Sequence, residues 1–455
     1  MEYSKILSDF CHDLTYDKLP ADVVEKAKIC ILDYVANVYG SLQLDAVSRI
    51  ASAVKSLAGP GPVTCLGFGF SAPILEAVFL NGVTAEAIEA QDGLRFGGNH
   101  PGTAVIPAAL GLAEKNGKGG KDIIAAVVAG YEAADRAAAS VHPRHTLSGF
   151  LPTGTTGTFG AAIAAAKLMG LEKTATLSAL GCAGYVLPLS MAEQLMGGFT
   201  VKVVQGGKAA QGGILAAVLA ASGVTGMPNV FEGSKLNGGF CKITTDQPAA
   251  LERITDALGE RLSILDIYFK PYTACRHTHG SAQAAIGLVT ENKFGPKDVQ
   301  KVEVFTYGIA VIAVGKEVKL NDSFVNAQFS IPYVVSAAVA DGMLGPAQLT
   351  EKRLSDPELI EFTKKVTVNY DDELNKLYPD KTASRVEITL KGGEVLTKQV
   401  DIPAGDPRDP LTAEDVAKKV RAFAANRDEK KLNAVIDGIL NLETVTDIGE
   451  ITKII

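Results

Sequence analysis

The sequence predicts a mainly α fold, with a large all-helical domain joined to a smaller α+β domain. Three observations lead there. Alanine- and glycine-rich stretches with apolar residues at three-to-four spacing fill the chain up to about residue 260. Two-residue alternation sets in near residue 265, and helical spacing returns after Pro403-Ala-Gly-Asp-Pro407. The expected units are residues 1–264 together with 405–455, all-helical and discontinuous, and residues 265–404, α+β.

Taken in order, residues 77–80, Val105 to Ala113 and Asp122 to Ala139 carry helical periodicity. The stretches 157–170 and 212–223 are apolar nearly all round and dense in small residues. Each is short and is interrupted by Lys167 or bounded by glycine, which fits close-packed helices in a core better than membrane spans. Strands are expected at 299–308 and 364–371, and a hairpin at 385–402 turning on Lys391-Gly392-Gly393. Helices are expected between them at 281–290 and 331–340, then at 413–425 and 429–440.

Composition narrows the function. The 455 residues carry a net charge of −7, so neither nucleic acid nor an anionic membrane is an expected partner. No run of 18 or more residues is continuously apolar, and the opening MEYSKILSDFCHDL lacks the form of a signal peptide, so a cytoplasmic location is expected. The six cysteines are scattered with no C-x-x-C pair, which argues against a zinc ribbon, a cysteine-ligated cluster or a disulfide framework. Neither a metal nor a cofactor is expected.

Against this acidic background, Lys270 to His279 (KPYTACRHTH) is a basic cluster in a chain with only six histidines. Arg276 offers a forked donor for a carboxylate. Lys270 and His279 titrate usefully once their surroundings shift them, and Cys275 has cationic neighbours that lower a thiol pKa. Three further segments carry polar chemistry. His100-Pro101-Gly102 precedes a helix whose first N–H groups favour an anion. Residues 148–162 form a Gly/Thr-rich loop leading into a helix. Residues 199–217 place Lys202 and Lys208 around Gly206-Gly207 at a helix start.

In this order, with LNGVTAEAIEAQD before HPG, GF-x-PT-x-x-x-G, K-x-x-x-x-G-x-AA, K-x-Y-x-x-C-R-x-T-H and QFSIPYVVSAAVADG at 328–342, the chain resembles the MmgE/PrpD family. That family holds 2-methylcitrate dehydratases, cis-aconitate decarboxylases and an iminodisuccinate epimerase. The resemblance implies a helical domain and an α+β domain with the active site between them, in a homodimer. Carried over residue by residue, it implies catalytic roles for Glu89, His100, Lys202, Lys270 and Tyr333. The same pocket would take a polycarboxylate with Asp92, Thr153, Lys208, Cys275, Arg276 and His279. Three positions depart from the pattern. Leu151 stands where dehydratases and decarboxylases commonly carry histidine, Cys275 where decarboxylases carry histidine, and Gly93 at or near a threonine of the decarboxylases.

Rival chemistries fit less well. Gly67-x-Gly69 in 61–73 has Ala72 where a dinucleotide fingerprint needs glycine. Gly206-Gly207-Lys208 lacks the upstream glycine of a P-loop, and no G-x-S-x-G occurs. The expected activity is therefore a cofactor-independent lyase that abstracts a proton α to a carboxylate and eliminates water, on a substrate like 2-methylcitrate. An epimerase of a dicarboxylate such as iminodisuccinate, and a degenerate member that only binds polycarboxylates, are the alternatives. Lys270, read as lying on an interdomain loop, is expected to be replaceable without harm to the fold.

Overall fold

The structure is a computed structural model that describes residues 2–455. Its centre is a cluster of helices, Ile74–Ala87, Gly102–Asn116, Gly120–Val141, Pro152–Leu168 and Val204–Ala221, packed against one another. Small residues allow that packing. A β-carbon on Gly82 would stand only 2.7 Å from Gly207 Cα, so two helices cross there backbone against backbone. This crossing brings the start of the Val204–Ala221 helix beside the end of Ile74–Ala87.

The smaller unit is a four-stranded sheet in the order Val366–Tyr370, Val299–Thr306, Ser384–Leu390, Val395–Val400. The first pair is parallel and the other two are antiparallel. Val302, Val304 and Thr306 are buried while Glu303 and Phe305 are less so, the two-residue alternation read from the sequence. A register shift between Val299 and Lys301 breaks the alternation at the strand's beginning. Gly393 closes the hairpin at φ 91°, a conformation open to glycine. The His279–Asn292 helix covers the sheet on one face and also packs on Ile331–Asp341.

The closing helices Ala413–Phe423 and Glu429–Leu440 lie on the Ala21–Ser41 helix. Lys28 Nζ donates to Leu440 O at 2.8 Å, and Gln43 Nε2 donates to Phe423 O at 3.0 Å. The stretch 61–73 is an antiparallel hairpin, Val63–Cys65 with Phe70–Ala72, and not the first strand of a βαβ unit. No helix among the described residues is long and apolar enough to cross a membrane.

One small ladder matters most for the site. Gly93 pairs with Tyr268 and Leu94 with Ile267, antiparallel, so the segment after the Ile74–Ala87 helix is stitched to the segment that leads into Lys270.

Candidate active site

The Ile74–Ala87 helix ends in an irregular stretch that carries the first site residues. Glu89 is buried and sits at φ 55°, in the left-handed region. Outside glycine such a conformation costs on the order of 1–3 kcal/mol and persists only where its surroundings enforce it. The enforcing contacts are ionic. Lys270 Nζ lies 2.7 Å from Glu89 Oε1, and Lys202 Nζ bonds to Glu89 Oε2 and lies 2.7 Å from Glu86 Oε1. Gln205 Nε2 donates to the same Glu86 oxygen at 2.8 Å.

Two carboxylates and two ammonium groups thus form a closed, buried, charge-balanced knot. Burial raises the Glu89 carboxyl, but Lys202 and Lys270 outweigh it and hold the group well below the carboxylate range. Burial likewise opposes the charge on Lys202, and Glu86 and Glu89 more than restore it. Below the knot, Lys419 Nζ donates to Ala90 O at 2.6 Å and lies 2.7 Å from Asp33 Oδ1, pinning the backbone between Glu89 and Gln91.

His100 faces this knot from the turn before Gly102–Asn116. Its Nδ1 is 2.6 Å from Asp92 O. A carbonyl oxygen only accepts, so Nδ1 carries the proton and Nε2 is the basic nitrogen. Burial, helped by the Lys270 charge, lowers the imidazole pKa to about 3. His100 is therefore neutral across the physiological range. Its backbone N–H donates to Thr153 Oγ1 at 3.0 Å.

The anion expected at the start of Gly102–Asn116 belongs to the protein. Asp92 Oδ1 accepts from Gly102 N at 3.2 Å, and Tyr131 donates to Asp92 Oδ2 at 2.5 Å. Burial pushes the Asp92 carboxyl up to about 7, with the Tyr131 bond pulling the other way. The Gly/Thr-rich segment is likewise not a loop, because the Pro152–Leu168 helix begins with Pro152 in its first turn. Thr156 and Thr158 hydroxyls bond back to Pro152 O and Gly154 O, and Thr153 positions His100.

Glu89, His100, Lys202 and Lys270 are brought together, with Asp92, Thr153 and Cys275 at the edges. Burial raises the Cys275 thiol to about 11, and Glu89 adds to that, so the neighbouring cations do not make it a thiolate. Four residues lie elsewhere or are otherwise engaged. Arg276 spends its fork on backbone, donating to Ala404 O at 2.8 Å and Pro403 O at 2.7 Å. His279 is buried at a helix start, donating Nε2 to Ala274 O at 3.0 Å. Lys208 points to solvent and bonds to Gln211 Oε1 at 2.6 Å. Tyr333 gives its hydroxyl to Gln348 O inside the core.

Lys270 is fully buried, which removes the ground for expecting it to be replaceable without harm to the fold. Glu86, Gln205 and Lys419 were not singled out from the sequence. Only Glu86 carried a signal there, being one helical turn before Glu89.

Known proteins align with this arrangement along nearly its whole length. The MmgE/PrpD N-terminal domain matches residues 5–252 and the MmgE/PrpD C-terminal domain matches residues 272–442. The chain belongs to the MmgE/PrpD family. Among its curated relatives is a cis-aconitate decarboxylase of Aspergillus terreus, 27% identical, covering 99% of this chain and 96% of the relative. The human cis-aconitate decarboxylase is 29% identical over 84% of this chain and 79% of its own length, and the mouse enzyme is 26% identical over 98% and 91%. Lys270 lies in the short stretch between the two matches, two residues before the second begins.

Proposed function

We propose that this protein is a lyase acting on a small tricarboxylate through a carbanion stabilised as an enediolate. The observation that carries the reading is the tie of His100 Nδ1 to Asp92 O, which leaves a neutral imidazole with its basic Nε2 unengaged. At neutral pH this imidazole is in the protonation state a general base needs, but its low pKa makes it a weak one. Stabilisation of the developing anion by the neighbouring cations must therefore supply most of the driving force. The electron pair left on carbon passes into that carboxylate as an enediolate, then returns to form the C=C bond as the β C–O bond breaks. The departing hydroxyl takes back from His100 Nε2 the proton that nitrogen removed and leaves as water. Lys202 and Lys270 supply the positive charge that such an intermediate needs in a water-poor site. Dehydration of a 2-methylcitrate-like acid is the specific reaction we favour.

Decarboxylation is the second reading, supported by the cis-aconitate decarboxylases that match 84–99% of the chain. It breaks a C–C bond first and then needs a proton donor at carbon. A neutral His100 supplies that donor less readily, and Cys275 offers no histidine in its place.

The test is incubation with 2-methylcitrate, citrate and cis-aconitate in deuterium oxide, followed by NMR and mass spectrometry. Loss of water supports dehydration, and loss of carbon dioxide supports the second reading. Deuterium uptake without mass loss points to an epimerase. Acids left unchanged and unlabelled overturn the lyase reading in favour of a binding protein.

We infer a homodimer as the working form. Tyr185, Leu189, Met191, Met196, Phe199 and Val201 expose large apolar surface along one short segment that leads into Lys202. A second copy of this chain is the partner that such a strip fits.

A further inference from the structure

Tyr268 stands in the site without an assigned role. It is cross-strand partner to Gly93, and its ring lies over that glycine. The point where a β-carbon on Gly93 would stand is 2.5 Å from Tyr268 Oη and 2.9 Å from His100 Nδ1. Residue 93 thus has no side chain, and the space beside the His100 imidazole is filled by a phenol from the opposite strand.

The ring is held firmly. Arg276 Cζ sits 5.0 Å from its centroid, and that guanidinium is itself anchored to Pro403 O and Ala404 O. Only 7% of Tyr268 is exposed, yet its hydroxyl makes no hydrogen bond to any described residue. Several other buried tyrosines do find partners, Tyr131 donating to Asp92, Tyr34 to Asn81 O and Tyr333 to Gln348 O, while Tyr39 does not. The Tyr268 oxygen is not among the fully enclosed unpartnered polar atoms and keeps contact with solvent, so a molecule entering the site can reach it. Burial also keeps the Tyr268 phenol above its ordinary pKa, so it remains a donor. A donor left unpaired beside the one basic imidazole of a closed ionic site is placed for something that arrives from outside.

We propose that Tyr268 is a catalytic residue of this site, donating its phenolic O–H to an oxygen of the bound substrate carboxylate beside His100. No proton need leave Tyr268. The hydrogen bond strengthens as negative charge accumulates on that oxygen when His100 Nε2 removes the neighbouring proton. The inference rests on the proposed polycarboxylate reading of the same site. The competing role is packing alone, an aromatic ring covering a glycine.

Tyr268→Phe separates the two, since it keeps the ring over Gly93 and against Arg276 and removes only the oxygen. Wild type and Tyr268→Phe are compared for turnover of 2-methylcitrate, citrate and cis-aconitate. Both are also titrated calorimetrically with the unreactive analogue tricarballylate, and their thermal unfolding is recorded. The expected result is an unchanged melting transition with kcat lowered about 100-fold, the usual loss for one such donor, and weaker tricarballylate binding. A variant that matches wild type in kcat and in tricarballylate binding overturns the assignment and leaves the lyase reading intact. A wild-type protein that neither turns over nor binds any of these acids overturns both.

Discussion

Lys270 and Glu89 meet at 2.7 Å with both side chains buried, and they join two segments 181 residues apart in sequence. With Lys202 closing the other side of the carboxylate, the site is built as an ion-pair knot and not as an open cationic pocket. A substrate carboxylate entering it competes with Glu89 for the same two ammonium groups.

Lys270→Met is therefore expected to damage the fold as well as the chemistry. Removing one partner of a buried pair leaves the other charge uncompensated and typically costs about 3–5 kcal/mol. Urea denaturation of the purified variant measures this. A midpoint equal to that of wild type would show that Glu89 finds compensation elsewhere.

His100→Ala is expected to lower turnover by about 100- to 10,000-fold, the usual contribution of a positioned proton-transfer group. Cys275→Ala is expected to stay near wild-type turnover, because the buried thiol is protonated and no covalent step is invoked. Steady-state kinetics on whichever acid is consumed checks both.

The pH dependence follows from the low His100 pKa. Its native value of about 3 lies below the ordinary 6.5, so the unfolded chain takes up this proton first as pH falls. The stabilising contribution of neutral His100 is complete above 6.5 and is lost progressively as pH falls toward 3. The stability gap between wild type and His100→Gln should shrink over that window in denaturant titrations. For activity, kcat/KM should show no acidic limb near pH 6.5 attributable to this residue.

Lys208→Ala is expected to leave kcat and KM unchanged. The ammonium is exposed and its contact is Gln211 on the same helix, where a surface substitution usually stays within about 0.5 kcal/mol. A raised KM would place the substrate, or a partner subunit's part of it, against this helix face.

Charging the apolar strip tests the assembly. Phe199→Glu combined with Met196→Glu should convert a dimer to monomer in sedimentation velocity, since two carboxylates cannot be buried there without partners. An unchanged sedimentation coefficient would move the interface elsewhere.

Local pattern was a good guide wherever a single element decides the outcome. The Lys391-Gly392-Gly393 turn, the buried Val302 and Val304 and the helices at Ile331–Asp341 and Ala413–Phe423 all follow from side-chain period and turn chemistry. The Thr153 segment shows the limit. Its composition reads as a loop, yet Pro152 at the first position starts a helix, and the threonine hydroxyls satisfy themselves on carbonyls four residues back.

By itself the sequence determined the division into helical and α+β regions, the family pattern and the residue types that could do proton chemistry. Tertiary structure alone decided which of those residues meet. Arg276 and Lys270 are six residues apart, and one is spent on Pro403 and Ala404 while the other reaches Glu89. Tyr268 carries no motif and is set beside His100 by its pairing with Gly93. The physical reason is range. Periodicity and turn preference act over a few residues, whereas a buried charge or hydroxyl takes its partner and its pKa from whatever the fold brings within about 4–6 Å.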